Sequence, residues 1–195
     1  DVEFQQVPSL QYASFKTRVT PLQKKYKARK GSDLDVEWLE APEIERKFFL
    51  KSPGGLWSAK AGKGGAYALA HGLLNSGRLN LRVYDGVEIR GIETGSKKVV
   101  LTTTDGRKIT AGYVVVACGY ESQKFLPCSV VQMETTYAFV TKPLPKSAVW
   151  DQDALLWETK TPYLYIRTTE NNRLLAGGRD DEGHNPDKRD RALPG

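Results

Sequence analysis

"PYLYIRTTENNRLLAGGRDD", residues 162–181, sets two runs rich in Leu, Ile, Tyr and Thr on either side of an Asn-Asn pair. Runs of this kind read as strands, and Asn171-Asn172 between them reads as a turn. The stretches before it are of the same kind: "VVQMETTYAFVTK" (130–142) and "ALLWETK" (154–160) are also strand-like. The second half of the chain is therefore a succession of short strands, without repeats or low-complexity segments. It closes on a polar, turn-rich tail, "GHNPDKRDRALPG", at 183–195.

Moving towards the N-terminus, "LNLRVYD" (79–85), "VEIRGIET" (87–94), "KVVLTTTDGRKIT" (98–110) and "YVVVACG" (113–119) follow one another closely. Asp105-Gly106 is a strong hairpin signal between two of these runs. "YVVVA" is apolar on both faces, which predicts the interior of a parallel sheet covered by helices. Its small end, Ala117-Cys118-Gly119, lets backbone groups come close to a neighbour.

The first 78 residues read as helical segments. Residues 8–30 predict a helix with an apolar stripe at Tyr12, Phe15, Val19, Leu22 and Tyr26, a kink or junction at Pro21 and a cap at Gly31. In "LEAPEIERKF" (39–48), Pro42 and the early Glu43 and Glu45 suit the start of a second helix. "KSPGGLWSAKAGKGG" (51–65) reads as a Gly-rich loop. Ala66, Leu69, Ala70, Leu73 and Leu74 then follow the spacing of a third helix, ended by Gly77.

The bulk numbers narrow the function classes. A chain of 195 residues with 39% apolar residues can bury a real core. Its longest apolar runs fall far short of the ~20 residues of a membrane helix, and "DVEFQQVPSL" lacks the pattern of a secretion signal. The chain thus reads as soluble, intracellular and cytoplasmic. Two cysteines, Cys118 and Cys128, are too few for a disulfide framework or a structural zinc site. A net charge of +6 raises nucleic acid as a partner, but the lysines between Lys16 and Lys30 fit the solvated face of a helix.

No G-x-G-x-x-G, P-loop, G-x-S-x-G or metal-spaced His pair is present. "GKGGAYALAHGLL" opens a helix with glycines and would suit a phosphate, yet no apolar strand precedes it. His71 and His184 have no sequence partners for catalysis, and Cys118 reads as a small buried filler rather than a redox thiol.

The order of segments carries more. A helix "AYALAHGLL", the strands "LNLRVYDGVEIRGIE", the hairpin and valine strand of "TTTDGRKITAGYVVVACGYES", and then "YLYIRTTENNRLLAGGRDD" together resemble the middle of the D-amino-acid oxidase-like superfamily of FAD-dependent oxidoreductases, which includes glycine oxidase and sarcosine oxidase. The resemblance covers roughly residues 50–183. It implies an α+β fold in which a largely antiparallel substrate-domain sheet with helices accompanies part of a dinucleotide-binding sheet. Residues 79–122 would belong to the FAD-binding domain, 123–183 to the substrate-binding domain, and 184–195 to a polar tail. It also implies FAD contacts at Val87, Ala117, Cys118, Gly119 and Tyr120, with Thr103 and Gly106 matching the family's T-x-x-G hairpin. An amine or amino-acid substrate would meet Tyr165, Arg167 and Arg179, with Tyr163 beside them, because guanidinium binds carboxylate with two parallel hydrogen bonds.

Complete family members carry a pyrophosphate fingerprint upstream and a closing Gly-rich segment downstream, and neither is here. The chain is therefore expected to be a central fragment that binds FAD poorly by itself. The expected function is the substrate-binding portion of an enzyme that moves a hydride from a carbon next to an amine to flavin. A noncatalytic ligand-binding or regulatory module of the same fold, and a basic nucleic-acid-binding domain, stand as the alternatives.

Overall fold

The computed structural model describes residues 4–77, 80–132 and 134–182. The polar tail, with His184, and the start of the expected strand at Leu79 lie outside these residues. The chain divides into two units. One comprises the described residues up to Ala70 and from Glu134 onward; the other comprises those between them.

The first unit is built on a seven-stranded sheet. Its strands are β1 (Gln5–Tyr12), β2 (Val36–Glu40), β3 (Gly54–Lys63), β7 (Glu134–Val140), β8 (Leu155–Glu158), β9 (Leu164–Thr169) and β10 (Arg173–Glu182), in the order β2-β3-β1-β8-β9-β10-β7. Every pairing is antiparallel except β1 with β8. The expectation of an α+β fold with a largely antiparallel sheet therefore stands.

Two of these strands lie where helix and loop were expected. Residues 8–12 belong to β1, with hydrogen-bonded neighbours on both sides, so the helix α1 begins only at Val19 and runs to Lys30. Val7, Leu10 and Tyr12 are buried there, and the pairing register shifts between Val7 and Ser9, around the proline that cannot donate. The stretch 54–63 forms β3, and its glycines serve packing rather than a loop. A Cβ on Gly55 would stand 2.7 Å from the Leu10 Cδ1 and 3.1 Å from the Ile44 Cδ1. Composition alone cannot separate a glycine that turns from one that makes room.

Leu56 and Trp57 are neighbours in β3 and so point to opposite faces. On one face α1 adds Leu22, with Val19 and Tyr26, to a cluster of Ala13, Val36 and Leu56. Phe15, expected in this stripe, is exposed. Pro21 causes no kink because it sits in the first turn, where backbone N–H groups have no helical partner. The other face receives α2 (Ala41–Phe48), whose Ile44 and Phe48 join Leu10, Leu39, Trp150 and Leu156. Local chemistry starts and ends α2. Glu40 and Glu43 form a capping box, and Phe49 closes the helix in the left-handed region at φ 55° with its N–H on the Glu45 carbonyl at 3.1 Å.

Between β9 and β10, Asn171 and Asn172 both adopt left-handed backbone, at φ 61° and 54°. That pair of conformations suits the right-handed twist of the flanking strands, and asparagine tolerates it. The hairpin places Gly177 opposite Tyr165 and Leu175 opposite Arg167.

The second unit is a three-stranded antiparallel meander of β4 (Ile89–Thr94), β5 (Val99–Thr103) and β6 (Lys108–Ala111). Asp105-Gly106 makes the expected turn. Gly106 lies at φ +86°, and the Asp105 carboxylate accepts from the Thr103 hydroxyl and pairs with Arg107 Nε at 2.9 Å. The helix α3 (Ala66–Leu74), whose residues fall in both units, matches its expected extent, but Leu69, Leu73 and Leu74 stay exposed.

Two expectations fail in this unit. Described residues of "LNLRVYD" form no strand, and "YVVVACG" is not a sheet interior: residues 112–118 are irregular and Tyr113 is 95% exposed. A strand inside a sheet exists only through hydrogen bonds to neighbours on both sides, and no described strand pairs with this segment. Cys118 accordingly lies exposed rather than buried, its Sγ 3.4 Å from the Ser122 hydroxyl.

Candidate functional site

The most constrained polar group in the first unit is Glu158, the last residue of β8, whose side chain is only 6% exposed. Its Oε1 accepts from the Arg179 guanidinium at 2.8 Å and from the Leu164 N–H at 3.1 Å. Its Oε2 accepts from the Ser14 hydroxyl at 3.0 Å. Ser14 in turn accepts the Lys160 N–H at 2.9 Å, and its own N–H reaches the Thr159 Oγ1 at 3.0 Å. A buried carboxylate is tolerable only when its oxygens are answered in this way.

Backbone geometry brings Arg179 to Glu158. Gly178 stands at φ +113°, and Arg179 is left-handed at φ 59°. The β10–β7 register shifts between Gly178 and Asp181. Such an irregularity re-aims a side chain out of the regular alternation of the strand. A Cβ on Gly178 would collide with the Tyr163 carbonyl oxygen, the same oxygen that accepts the Arg179 N–H at 3.1 Å. Non-glycine left-handed backbone costs about 1 kcal/mol and persists where surrounding contacts over-determine it.

Aromatic rings stand next to this pair. Tyr163 lies 6.5 Å from Trp157, edge to face, and 6.2 Å from Tyr165, centroid to centroid. Tyr165 rests across Gly177. Lys25 of α1 holds its Nζ 5.9 Å from the Trp157 ring centre. Between α1 and these rings lies a cavity of about 280 Å³, reached by Gln11, Arg18, Lys25, Trp157, Lys160 and Tyr163.

Tyr12 is the register partner of Glu158 across the one parallel pairing. Burial, aided by the Glu158 carboxylate and opposed by Arg179, pushes its phenol up to about 12. A folded-state value above the ordinary 10.0 makes the stability due to this group complete below pH 10 and progressively lost as the pH rises towards 12. Phenolate absorbance at 295 nm, roughly the tyrosinate band, should therefore show one tyrosine titrating near pH 12. Tyr12→Phe should remove that late component; its persistence would place the late phenol elsewhere.

A family model described as DAO, FAD dependent oxidoreductase, matches residues 1–194. The chain belongs to the FAD-dependent oxidoreductase family. No curated protein matches the sequence. Among solved structures, glycine oxidase from Geobacillus kaustophilus superposes with a TM-score of 0.76 at 22% identity, over 95% of this chain and 50% of that one. Glycine oxidase from Bacillus cereus ATCC 14579 gives 0.73 at 16% identity, over 95% and 51%. L-proline dehydrogenase from P. horikoshii gives 0.73 at 13%, over 90% and 49%. At these identities the likeness is one of fold, and the chain spans about half the length of each of these proteins.

Within this family member the structure gathers some of the residues named from sequence and separates others. Arg179 meets Glu158 and the Tyr163 carbonyl, and Tyr165 stands beside the Tyr163 ring. Arg167 shares a face with Tyr165 but lines a different recess, of about 240 Å³, with Gln5 and Lys63. In the second unit, Val87 lines a recess of about 430 Å³ with Thr103, Asp105 and Ile109. Val114 and Val116 line another, of about 900 Å³, with Arg90 and Phe125. Ala117, Cys118, Gly119 and Tyr120 are exposed in the segment that leads into the 3-10 turn Gly119–Phe125.

Sequence reading missed Glu158, Ser14 and Gln11. Ser14 and Glu158 are 144 residues apart, so no local spacing joins them. The only available signal was a lone acidic residue ending the apolar strand "ALLWE". Among the described residues no three His, Cys, Asp or Glu side chains are grouped to hold a metal ion, and no helix is long and apolar enough to cross a membrane.

Proposed function

We propose that this chain is the substrate-binding portion, with part of the cofactor-binding sheet, of an enzyme that oxidises an amine or amino acid. The observation that carries the reading is the Glu158–Arg179 pair beside an aromatic wall in a member of an FAD-dependent family.

Arg179 commits one nitrogen to Glu158 and remains 45% exposed at its side chain. Its other N–H donors can take a substrate carboxylate, with Glu158 holding the guanidinium in place. Tyr163 and Tyr165 wall the bound molecule and keep water from the carbon next to its amine. Arg167, on the neighbouring strand β9, serves as a second and more distant cation.

In the second unit, Gly119 at φ +61° has open space where a Cβ would be, and the backbone from Ala117 to Tyr120 is accessible. That fits the approach of the adenine and ribose portion of FAD, with Val87 as an apolar contact; the described residues in this stretch supply backbone and apolar surface rather than charge. Bound FAD supplies the two-electron acceptor for the hydride leaving the carbon next to the amine.

The purified full-length protein should carry flavin absorbance that bleaches without oxygen when an amino acid or amine substrate is added. Arg179→Ala should raise KM for a carboxylate-bearing substrate about 10–100-fold, through loss of a charged hydrogen-bonded pair. Tyr165→Phe should change KM or kcat without unfolding the protein. A colourless full-length protein, or unchanged kinetics in both variants, would remove the reading.

A further inference from the structure

The cavity beneath α1 has features that the reading above does not use. Gln11 is 5% exposed, and its side-chain oxygen is buried with no hydrogen-bond partner among the described residues. A buried amide oxygen left unanswered costs about 1–3 kcal/mol, so it asks for a donor. Gln11 pairs in register with Leu56 on one side and Trp157 on the other. It therefore stands on the α1 face of the sheet and lines the cavity with Trp157.

The charges around this cavity are unbalanced. Arg18 and Lys25 come from the α1 side, and Lys160 from the loop after β8. Among the described residues the one acidic residue in the wall is Glu158, and its oxygens already answer Arg179, Ser14 and the Leu164 N–H. Three basic residues thus line a space in which, among the described residues, no anion is free to meet them. Pro21, Leu22, Trp157 and Tyr163 give the same space apolar walls. A volume of about 280 Å³ suits a molecule the size of an amino acid with a short side chain.

We infer that this cavity is a subsite for a second anionic group, so that the molecule accepted is an amine bearing two acids: one carboxylate at Arg179 and a carboxylate or phosphate among Arg18, Lys25 and Lys160. The inference rests on the amine-oxidising reading. The two meet at Tyr163 and Glu158, which belong both to the cavity wall and to the surroundings of Arg179. The Gln11 side chain forms part of the cavity floor beneath the substrate. The Trp157 and Tyr163 rings cover the carbon chain, and the cationic rim selects the remote acid. Lys25 is already held over Trp157, so its charge is partly positioned before binding.

Calorimetric titration of the full-length protein tests this without relying on turnover. L-glutamate and L-glutamine differ only in the charge of the remote group, and O-phospho-L-serine replaces carboxylate by phosphate. Glutamate, phosphoserine or both should bind about 5–10-fold tighter than glutamine at low salt, as expected for two or three partly exposed ion pairs, and the preference should shrink at high salt. Which of the two prevails identifies the acid. The double variant Lys25→Gln with Lys160→Gln should bring the preference down to about two-fold, and Gln11→Met should weaken all ligands alike. Equal binding of glutamate, phosphoserine and glutamine, absence of binding by all three, or a preference that survives in the double variant would overturn the subsite. The oxidase reading fails separately: a colourless protein that still prefers the acidic ligands keeps the subsite and loses the chemistry.

Discussion

Truncation of Glu158 to Ala is expected to lower the free energy of unfolding by about 2–4 kcal/mol, read as a fall in the urea midpoint at unchanged slope. The change removes the acceptor of three donors at once: Arg179, Ser14 and the Leu164 N–H. Arg179 is half-exposed and can turn to water, which keeps the cost below that of a wholly buried pair broken on one side. The reverse truncation, Arg179→Ala, leaves a carboxylate that is 6% exposed with only its two neutral donors. It should cost a similar amount, and the double variant should cost less than the sum of the two. Additive losses would mean that the two side chains are not energetically coupled.

Gly178→Ala should be as damaging, by about 3 kcal/mol or more, for a reason confined to the backbone. A Cβ there would meet the Tyr163 carbonyl, which is main chain and cannot rotate aside, and φ +113° is open in practice to glycine alone. β10 would have to leave β9 locally, which would detach the Arg179 N–H from Tyr163. Urea unfolding measures the loss, and the Arg179 backbone amide should lose its protection from hydrogen exchange. A Gly178→Ala protein of ordinary stability would show that the strand end is far more pliant than its packing implies.

Elements governed by their own neighbours were legible in the sequence. The second helix begins at a capping box and a proline and ends within one residue of where "LEAPEIERKF" does. The Asp-Gly and Asn-Asn turns fell where their side chains and φ values demand. β1 and β3 were misread because their character comes from distant partners. β1 is a central strand whose polar residues are held by pairing on both sides, and in β3 Gly55 makes room for Leu10 and Ile44. "YVVVACG" failed in the opposite sense: its composition suits a buried strand, yet no described strand pairs with it. Of the candidate site, Tyr165 and Arg179 could be named because they lie on one readable hairpin. Glu158 could not, since its meaning depends on residues drawn from β1, β9 and β10 together.

The single parallel pairing, of residues 9–12 in β1 with 155–158 in β8, sets an order on the birth of the molecule. A ribosome adding about 5–20 residues per second would release β1 roughly 7–30 s before its partner. The meander between them is contiguous and can form during that interval. The polar cradle around Glu158 closes only when the last hairpin arrives. Through that interval β1 keeps one edge unpaired, the edge that β8 later covers, and so stays open to pairing with a wrong strand.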